Sequence, residues 1–159
     1  MKTDYLVVGS GIAGLNFALN AAKHGRVTVV TKKEIVESNT NLAQGGIAAV
    51  TRKDDSVQLH IEDTLKVGCG LSNKRVVEIL AEKGPEAIQN LLSFGVNFDK
   101  ENDELHLTTE GGHSVARVLH SGDTTGKEIE QAMTECIHEN RNTEVFENCF
   151  AIDLLLNNK

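Results

Sequence analysis

Short apolar runs alternate with amphipathic stretches at the start of the chain, a pattern typical of an α/β fold. Four apolar residues at Tyr5–Val8 predict a strand. Apolar residues then recur at helical spacing from Ile12 to Ala22, which predicts an amphipathic helix ended by Gly25. A second strand at Val27–Val30 completes a βαβ unit of about 30 residues.

Three further helices are predicted between residues 56 and 95. The first begins at Ser56, a residue type that caps helices, and ends at Gly68. Apolar residues at helical spacing on both sides of Pro85 predict two more helices, because proline is favoured in the first turn of a helix. The last of these ends at Gly95.

Short strands and one more helix are predicted after residue 95. Residues 96–98 and 105–107 alternate as strands do, and the polar residues 100–104 between them predict a hairpin. Further strands are predicted at 115–120 and 151–156, on either side of a helix that opens at Thr124. The three helices predicted between residues 56 and 95 make a long connection between the second and last strands. Such a connection indicates a sheet that is the core of a larger fold. The chain is therefore interpreted as the N-terminal part of a longer protein.

The turn after the first strand carries three glycines, at positions 9, 11 and 14. Gly9 permits a sharp bend, Gly11 allows backbone to approach a diphosphate, and Gly14 lets the helix lie close to the strand. The helix N-terminus favours an anion through its N–H groups and its dipole. A dinucleotide site is therefore predicted here, with a glycine-rich turn of an ordinary α/β domain as the alternative.

The second strand lacks the acid that holds a ribose in the usual dinucleotide-binding pattern. It ends in Thr31-Lys32-Lys33, and Glu34 comes too late to substitute easily, so Lys32 is the candidate for ribose or phosphate contact. Further on, Gly45 and Gly46 precede small apolar residues and would allow close approach of a ligand. The alternative is a loop that packs under the first helix.

Composition narrows the class of protein. A length of 159 residues suits one ordinary domain. The 16 basic and 23 acidic residues give a net charge of −7, which would repel a nucleic-acid backbone and so disfavours a nucleic-acid partner. No apolar run has the roughly 20 residues needed to cross a membrane, so neither a membrane partner nor a signal peptide is expected. Three widely spaced cysteines without a CxxC pair suit a reducing compartment, and a cytoplasmic location is expected.

Four motifs together resemble the succinate dehydrogenase and fumarate reductase flavoprotein family. They occur in the family's order and spacing over nearly the whole chain. The motifs are Gly9-Ser10-Gly11-Ile12-Ala13-Gly14, Asn39-Thr40-Asn41-Leu42-Ala43-Gln44-Gly45-Gly46-Ile47-Ala48-Ala49-Val50, His106-Leu107-Thr108-Thr109-Glu110-Gly111-Gly112-His113-Ser114 and Asp123-Thr124-Thr125-Gly126.

The resemblance implies a Rossmann-type FAD-binding domain over residues 1–159, as the N-terminal part of a larger flavoprotein whose capping and C-terminal domains are absent from this chain. It assigns FAD contacts to the glycine turn, to Lys32 and to the second motif. Covalent relatives carry a histidine where this chain has Asn39, which implies noncovalent FAD. The cofactor-binding residues are thus Gly9, Ser10, Gly11, Ile12, Ala13, Gly14, Lys32, Asn39, Thr40, Asn41, Leu42, Ala43, Gln44, Gly45 and Gly46.

Within that family the chain most resembles the branch that oxidises L-aspartate to iminoaspartate at the start of NAD biosynthesis, with dioxygen or fumarate as electron acceptor. The resemblance makes Glu110 a substrate-orienting residue, since a carboxylate can pair with the substrate ammonium; the alternative is a solvated carboxylate on the turn. His113 meets a substrate carboxylate or only supports its turn. No metal site is expected, and catalytic residues are expected beyond Lys159. The alternatives are a soluble fumarate reductase or succinate-type oxidoreductase, and a dinucleotide-binding module without catalysis.

Overall fold

The structure, a computed structural model, describes residues 2–156. The chain forms two compact units. The first contains the residues up to Ala43 and those from Gly126 onward, and the second contains Gln44–Thr125. Each unit is described by itself below.

A three-stranded parallel sheet forms the centre of the first unit. It consists of β1 (Tyr5–Val8), β2 (Val27–Val30) and β8 (Thr143–Phe146), with β2 in the middle. Helix α1 (Ile12–Ala21) connects β1 to β2, and α4 (Thr125–Glu139) precedes β8. The α/β class and the first βαβ unit are confirmed. The buried side of α1 is its apolar stripe of Leu15, Ala18, Leu19 and Ala21.

The end of α1 differs from the prediction. Ala22 is the C-cap, so the helix ends before Gly25, and Gly25 has no left-handed φ. Gly25 is instead required by packing, because a Cβ there would lie 2.8 Å from Oδ2 of Asp4. The same Oδ2 accepts a hydrogen bond from the Arg26 N–H at 2.8 Å, which holds the two chain segments together.

Two helices that pack against each other supply much of the second unit: α2 (Val57–Val67) and α3 (Lys74–Ser93). Ile61 of α2 and Val77 and Ala81 of α3 form a buried cluster. The Ser56 hydroxyl accepts a hydrogen bond from the Leu59 N–H at 3.1 Å, which confirms it as the N-cap of α2.

Pro85 does not start a new helix, as the sequence had predicted, but lies inside α3. The buried positions of α3 continue at helical spacing through the proline, from Val77 and Ala81 to Ile88 and Leu91. Packing along this stripe outweighs the one backbone hydrogen bond that proline cannot donate. Gly84 also helps, since a residue without Cβ relieves the crowding that proline imposes on its predecessor.

Short antiparallel strands complete the second unit. Strands β3 (Ile47–Ala48) and β6 (Leu107–Thr108) flank β7 (Val118–Leu119), which is the strand predicted within 115–120. A separate hairpin joins β4 (Lys100–Glu101) to β5 (Glu104–Leu105).

The predicted hairpin is therefore real, but its strands were wrong. Lys100, Glu101 and Glu104 were expected in the turn, but they lie in the paired strands. The turn itself has only two residues, Asn102 and Asp103, with φ values of 52° and 67°. Asparagine and aspartate tolerate this left-handed conformation better than other side chains, which fixes the register. Val96 and Phe98 are buried outside any strand, so their alternation reflected packing alone.

The last strand was also placed wrongly. Residues 151–156 are exposed and form no strand, whereas β8 lies at Thr143–Phe146. Strand β8 follows α4 after a tight turn, in which the Thr143 N–H donates to the Asn140 carbonyl at 3.1 Å. Pairing with β2 stabilises it, from Val27 opposite Thr143 to Val30 opposite Phe146.

Residues 2–156 contain neither a membrane-spanning helix nor a cluster of metal-binding side chains. No helix in that range is both long and apolar enough to cross a membrane. The same range contains no group of three or more His, Cys, Asp or Glu side chains arranged to hold a metal ion.

Candidate cofactor and substrate sites

A cavity of about 620 Å³ opens in the first unit beside the glycine turn. Its volume lies within the range of small-molecule and cofactor pockets. Three segments supply most of its lining: the turn after β1, the end of β2 and the loop before residue 43. The lining residues are Val8, Gly9, Ser10, Gly11, Thr31, Lys32, Lys33, Glu37, Ser38, Asn39, Thr40, Asn41, Leu42, Phe150 and Ala151.

Gly9 and Gly14 are glycines because the fold requires them. Gly9 has a φ of 105°, a conformation that side chains disfavour, and its N–H donates to the Val30 carbonyl at 2.8 Å. A Cβ on Gly14 would lie 3.3 Å from Cγ1 of Val7 and closer still to the Gly9 backbone. These two glycines thus bring α1 against the end of β1, as the sequence predicted.

Gly11 differs from both, because the protein itself does not require a glycine there. Its φ is −65° and its ψ 169°, which any residue adopts. A Cβ on Gly11 would meet only the Thr40 hydroxyl oxygen, at an ordinary contact distance of 3.4 Å. Since Gly11 lines the cavity, the missing side chain leaves room for a ligand to approach the backbone closely.

Hydroxyl groups tie the glycine turn to its neighbours. The Ile12 N–H, in the first turn of α1, donates to the Thr40 hydroxyl oxygen at 3.0 Å. The Ser10 and Thr31 hydroxyls are buried and lie 3.2 Å apart. The N-terminal end of α1 therefore faces a cavity with a fixed backbone, where its dipole favours a phosphate group.

The cationic side of the cavity lies at the end of β2. Lys33 pairs with Glu37 at 2.7 Å, and this carboxylate raises the pKa of Lys33. Lys32 lines the same cavity, is exposed, and takes part in none of the ion pairs found within residues 2–156. Lys32 is thus available to an anionic or hydroxyl-bearing ligand where an acid would usually stand.

The loop of residues 38–43 rests on the start of α4. Gly126 donates its N–H to the Ala43 carbonyl at 3.0 Å, and a Cβ on Gly126 would overlap the Thr40 carbonyl oxygen. Within this loop the Asn41 N–H donates to the Ser38 hydroxyl oxygen at 3.3 Å. The loop is therefore shaped by backbone contacts, which leaves its exposed Asn39 and Leu42 side chains free to meet a cofactor.

Glu130, on α4, is a buried acid next to this loop. Its side chain is almost fully buried, and both carboxylate oxygens lack a hydrogen-bond partner of good geometry. Burial raises the pKa of Glu130 to about 7, and the nearby Ser38 hydroxyl moderates the rise. Near neutral pH this group is therefore divided between its acid and carboxylate forms.

The second unit holds the turn of residues 110–114, named the Glu110 turn here. Glu110 is exposed, and its Oε1 lies 3.7 Å from Nε2 of His120. That imidazole nitrogen also lies 2.8 Å from the Thr108 hydroxyl. The backbone N–H of His113 donates to the Glu110 carbonyl at 3.1 Å, which closes the turn.

A buried ion network lies beside the Glu110 turn, and sequence reasoning missed it. Arg117 is fully buried and makes a bidentate pair with Asp55, at 2.9 Å from Nε and 2.8 Å from Nη2. Its Nη1 donates to Asp63 at 2.7 Å, and Asp63 in turn accepts hydrogen bonds from the hydroxyl and the N–H of Ser114. The partners are separated by more than 50 residues, so no local pattern could have shown the pairing.

The network shifts the pKa values of its members. Burial alone would raise the pKa of Asp63, but hydrogen bonds from Ser114 and Arg117 outweigh it and lower the pKa to about 2. Burial lowers the pKa of His60, and the charge of Arg117 lowers it further. His60 is therefore a buried packing residue in which burial favours the neutral ring.

The structure distributes the predicted cofactor residues over both units. Gly9, Ser10, Gly11, Lys32 and residues 39–42 line one cavity, while Ile12, Ala13 and Gly14 lie along α1. Ala43 contacts Gly126, and Gln44, Gly45 and Gly46 belong to the second unit. There, a Cβ on Gly46 would overlap the Leu119 carbonyl oxygen, so the close approach predicted at this glycine is made to β7.

Comparison with known proteins decides the family. Residues 4–159 match the family described as FAD binding domain. The chain belongs to this FAD binding domain family. FAD is the cofactor that the family indicates, which agrees with the cavity beside the glycine turn.

The relatives of this FAD binding domain agree with the resemblance found in the sequence. It is 49% identical to the chloroplastic L-aspartate oxidase 2-a of Nicotiana tabacum over 96% of this chain and 24% of that protein. It is 44% identical to the L-aspartate oxidase of Yersinia pestis over 99% of this chain and 30% of that protein. A solved quinol–fumarate reductase is similar over 99% of this chain and 29% of its own, with a TM-score of 0.91 and 26% identity. The FAD binding domain thus spans about a quarter to a third of these proteins.

Proposed function

We propose that this chain is the FAD-binding part of a longer flavoprotein that oxidises L-aspartate to iminoaspartate, the first step of NAD biosynthesis. The observation that carries the proposal is the exposed carboxylate of Glu110 on a turn fixed by buried groups. The names of the curated relatives, L-aspartate oxidase in Nicotiana tabacum and Yersinia pestis, support the same reaction. The other domains of that longer protein lie outside this chain.

Glu110 supplies the selectivity for aspartate. Aspartate differs from succinate by one ammonium group, and a carboxylate pairs with an ammonium through a charge-assisted hydrogen bond. More than half of the Glu110 side chain is exposed, so its charge is accessible to a ligand. A substrate without the ammonium leaves this carboxylate without a partner, which disfavours its binding.

The cavity beside α1 holds the FAD. Gly9, Ser10 and Gly11 receive the diphosphate, Lys32 meets the adenosine ribose or a phosphate, and residues 39–42 contact the rest of the cofactor. FAD, when bound, accepts the electrons that leave the substrate, so the protein contributes binding, orientation and electrostatics. Asn39 carries an amide in place of a histidine ring, so the FAD is held without a covalent bond.

Glu110 and His113 are the substrate-orienting residues of the proposal. The His113 ring nitrogen Nδ1 is buried and lacks a hydrogen-bond partner within residues 2–156, which suits a group that receives a partner from a ligand. The residues that move the substrate proton belong to the part of the protein beyond this chain. Dioxygen or fumarate takes up the electrons, and the reducing cytoplasm is the proposed location.

A second candidate function is a soluble fumarate reductase or succinate-type oxidoreductase. The TM-score of 0.91 with the quinol–fumarate reductase favours it, since that fold is shared. Glu110 separates the two candidates, because a dicarboxylate without an ammonium gains nothing from a third carboxylate beside it.

Turnover of the longer flavoprotein with paired substrates tests the proposal. Equal concentrations of L-aspartate and succinate are supplied to the FAD-loaded protein, and consumption of each is followed with dioxygen as acceptor. We expect consumption of aspartate and little of succinate. Preferential consumption of succinate would establish the second candidate, and a protein that takes up no FAD would indicate a module without redox function.

A further inference from the structure

Three residues of α2 contact three successive residues of the Glu110 turn. The His60 and His113 rings meet edge to face with centroids 6.2 Å apart. Asp63 holds Ser114. Val67 fits against Gly112, where a Cβ would overlap Cγ2 of Val67. His60, Asp63 and Val67 are spaced by three and four residues, so they share one face of the helix.

The strongest of these contacts is made by the Asp63 carboxylate. Its Oδ2 accepts the Ser114 backbone N–H at 2.8 Å, and its Oδ1 accepts the Ser114 hydroxyl. Both hydrogen bonds go to a charged acceptor, which makes them stronger than neutral ones. The end of the turn is thus fixed through backbone and side chain together.

Asp63 is itself immobilised. It is only 6% exposed, and Nη1 of the fully buried Arg117 donates to its Oδ2 at 2.7 Å. Arg117 is held from the other side by Asp55. The Arg117 backbone also bonds to both neighbouring strands, from its N–H to the Thr108 carbonyl at 3.1 Å and from the Ala49 N–H to its own carbonyl at 3.0 Å.

The turn between these anchors has its own constraint. Gly112 has a φ of 96°, a conformation suited to glycine, and Val67 fills the space beside it. Between Glu110 and Ser114 the chain thus has a closed hydrogen bond, a left-handed glycine and a charged anchor. This arrangement restricts the positions that Glu110 and His113 can take.

We propose that Asp63 is the positioning residue that holds the Glu110 turn ready for substrate, so that Glu110 and His113 meet aspartate without a reordering cost. Asp63 acts through Ser114 and does not touch the substrate. The inference rests on the proposed function, because it takes Glu110 and His113 as substrate-orienting residues. Fixing recognition groups before binding raises affinity and aligns the reacting atoms.

Asp55 provides the matched control. It pairs with the same buried Arg117, through two hydrogen bonds, but no hydrogen bond links it to the Glu110 turn within residues 2–156. Asp55→Asn and Asp63→Asn each remove one negative charge from the same network. A general loss of stability is therefore common to both variants, whereas loss of turn position is specific to Asp63→Asn.

Kinetics of the FAD-loaded longer flavoprotein give the first readout. We expect Asp63→Asn to lower kcat/KM for aspartate about ten- to hundredfold at unchanged FAD content, a scale typical of misplaced binding groups. We expect Asp55→Asn to remain within about threefold of wild type. Equal losses in the two variants would overturn the inference and assign Asp63 a purely structural role.

Ser114 variants keep the test valid if Asp63→Asn fails to fold. Substitution of Ser114 leaves the buried Asp63 carboxylate paired with Arg117 and with the Ser114 backbone N–H. Ser114→Ala removes the hydroxyl bond and retains the backbone one, and we expect kcat/KM to fall about three- to tenfold. Ser114→Thr restores a hydroxyl and should recover most of the loss. Wild-type kcat/KM in Ser114→Ala would contradict the inference.

Hydrogen exchange separates this inference from the proposed function. In Asp63→Asn, the amides of residues 112–114 should exchange at least about tenfold faster, with no such change in Asp55→Asn. Unchanged exchange would overturn the inference whatever the kinetics. Faster exchange in Asp63→Asn together with wild-type turnover of aspartate would also overturn the inference. If Glu110→Gln then also turned over aspartate at the wild-type rate, the proposed function would be the part that failed.

Discussion

A Cβ on Gly14 would overlap the carbonyl oxygen of Gly9, so the residue that opens the turn and the residue that closes it fit only as glycines. The contact joins the residue that follows β1 to the first turn of α1. Because the obstacle is backbone, no side-chain rotation can relieve it. The glycine turn is thus required by the first unit before any ligand binds.

Gly14→Ala should therefore destabilise the protein by about 3 kcal/mol or more, the upper range for overpacking. Gly45→Ala is the control, since a Cβ on Gly45 has open space and Gly45 has no left-handed φ. We expect the free energy of unfolding of this control to lie within about 0.5 kcal/mol of the wild-type value. The check is urea unfolding of both variants, and a stable Gly14→Ala protein would contradict the packing argument.

Gly11→Ala should separate ligand binding from stability. The backbone conformation of Gly11 accepts alanine, so we expect the free energy of unfolding to change by less than about 1 kcal/mol, as for an N-cap substitution. FAD affinity should fall at least about tenfold, because the new methyl group lies where a diphosphate approaches the backbone. FAD fluorescence titration of the apoprotein measures this loss. Unchanged affinity would remove Gly11 from the cofactor site.

The sequence predicted the local features around Gly11 and Gly14 correctly. The turn, α1, β2 and the Ser56 cap are local features, set by residues within a few positions of one another, and the structure confirms them. Lys32 was the candidate from the missing acid after the second strand, and residues 39–42 were assigned through the family resemblance. All of them line one cavity.

The errors arose where distant packing overrides local preference. Pro85 was expected to start a helix, but the buried stripe of α3 continues past it. Residues 151–156 have the apolar content of a strand, yet β8 at Thr143–Phe146 is the segment that pairs with β2. The buried Arg117 network joins residues more than 50 positions apart, which no periodicity reveals.

Glu130 predicts a pH dependence of stability. Burial raises the pKa of Glu130 to about 7, above the ordinary glutamate value of 4.5, so its acid form is the one that the fold favours. The contribution of Glu130 to the free energy of unfolding is therefore fully present below about pH 4.5. It is lost as the pH rises from there through 7, and the whole loss is about 3 kcal/mol.

Glu130→Gln should remove this dependence. The stability of the variant relative to wild type should rise by about 3 kcal/mol between pH 4.5 and 8 and then stay level. Glu139→Gln, which changes an exposed acid on the same helix, is the control variant. Thermal unfolding across the pH range provides the measurement, and parallel curves for wild type and Glu130→Gln would refute the assignment.

The absence of a histidine at position 39 predicts a releasable cofactor. Acid or heat denaturation of the FAD-loaded longer protein should transfer all of the yellow colour to the supernatant. Asn39→His tests the position alone, and we expect its cofactor to be released as completely, since one ring nitrogen does not supply the rest of a flavinylation site. Colour that stays with precipitated wild-type protein would disprove noncovalent binding.

The central claim is that Glu110 selects aspartate for oxidation by FAD held in the cavity of the first unit. Its most direct test is the visible spectrum of the FAD-loaded longer protein under anaerobic conditions, before and after addition of L-aspartate. We expect aspartate to bleach the flavin bands of wild type. We expect Glu110→Gln, with equal flavin content, to lose about 1.5–3 kcal/mol of transition-state stabilisation and to bleach roughly ten- to hundredfold more slowly. Flavin bands that aspartate leaves unchanged, or that bleach equally fast in both proteins, would contradict it.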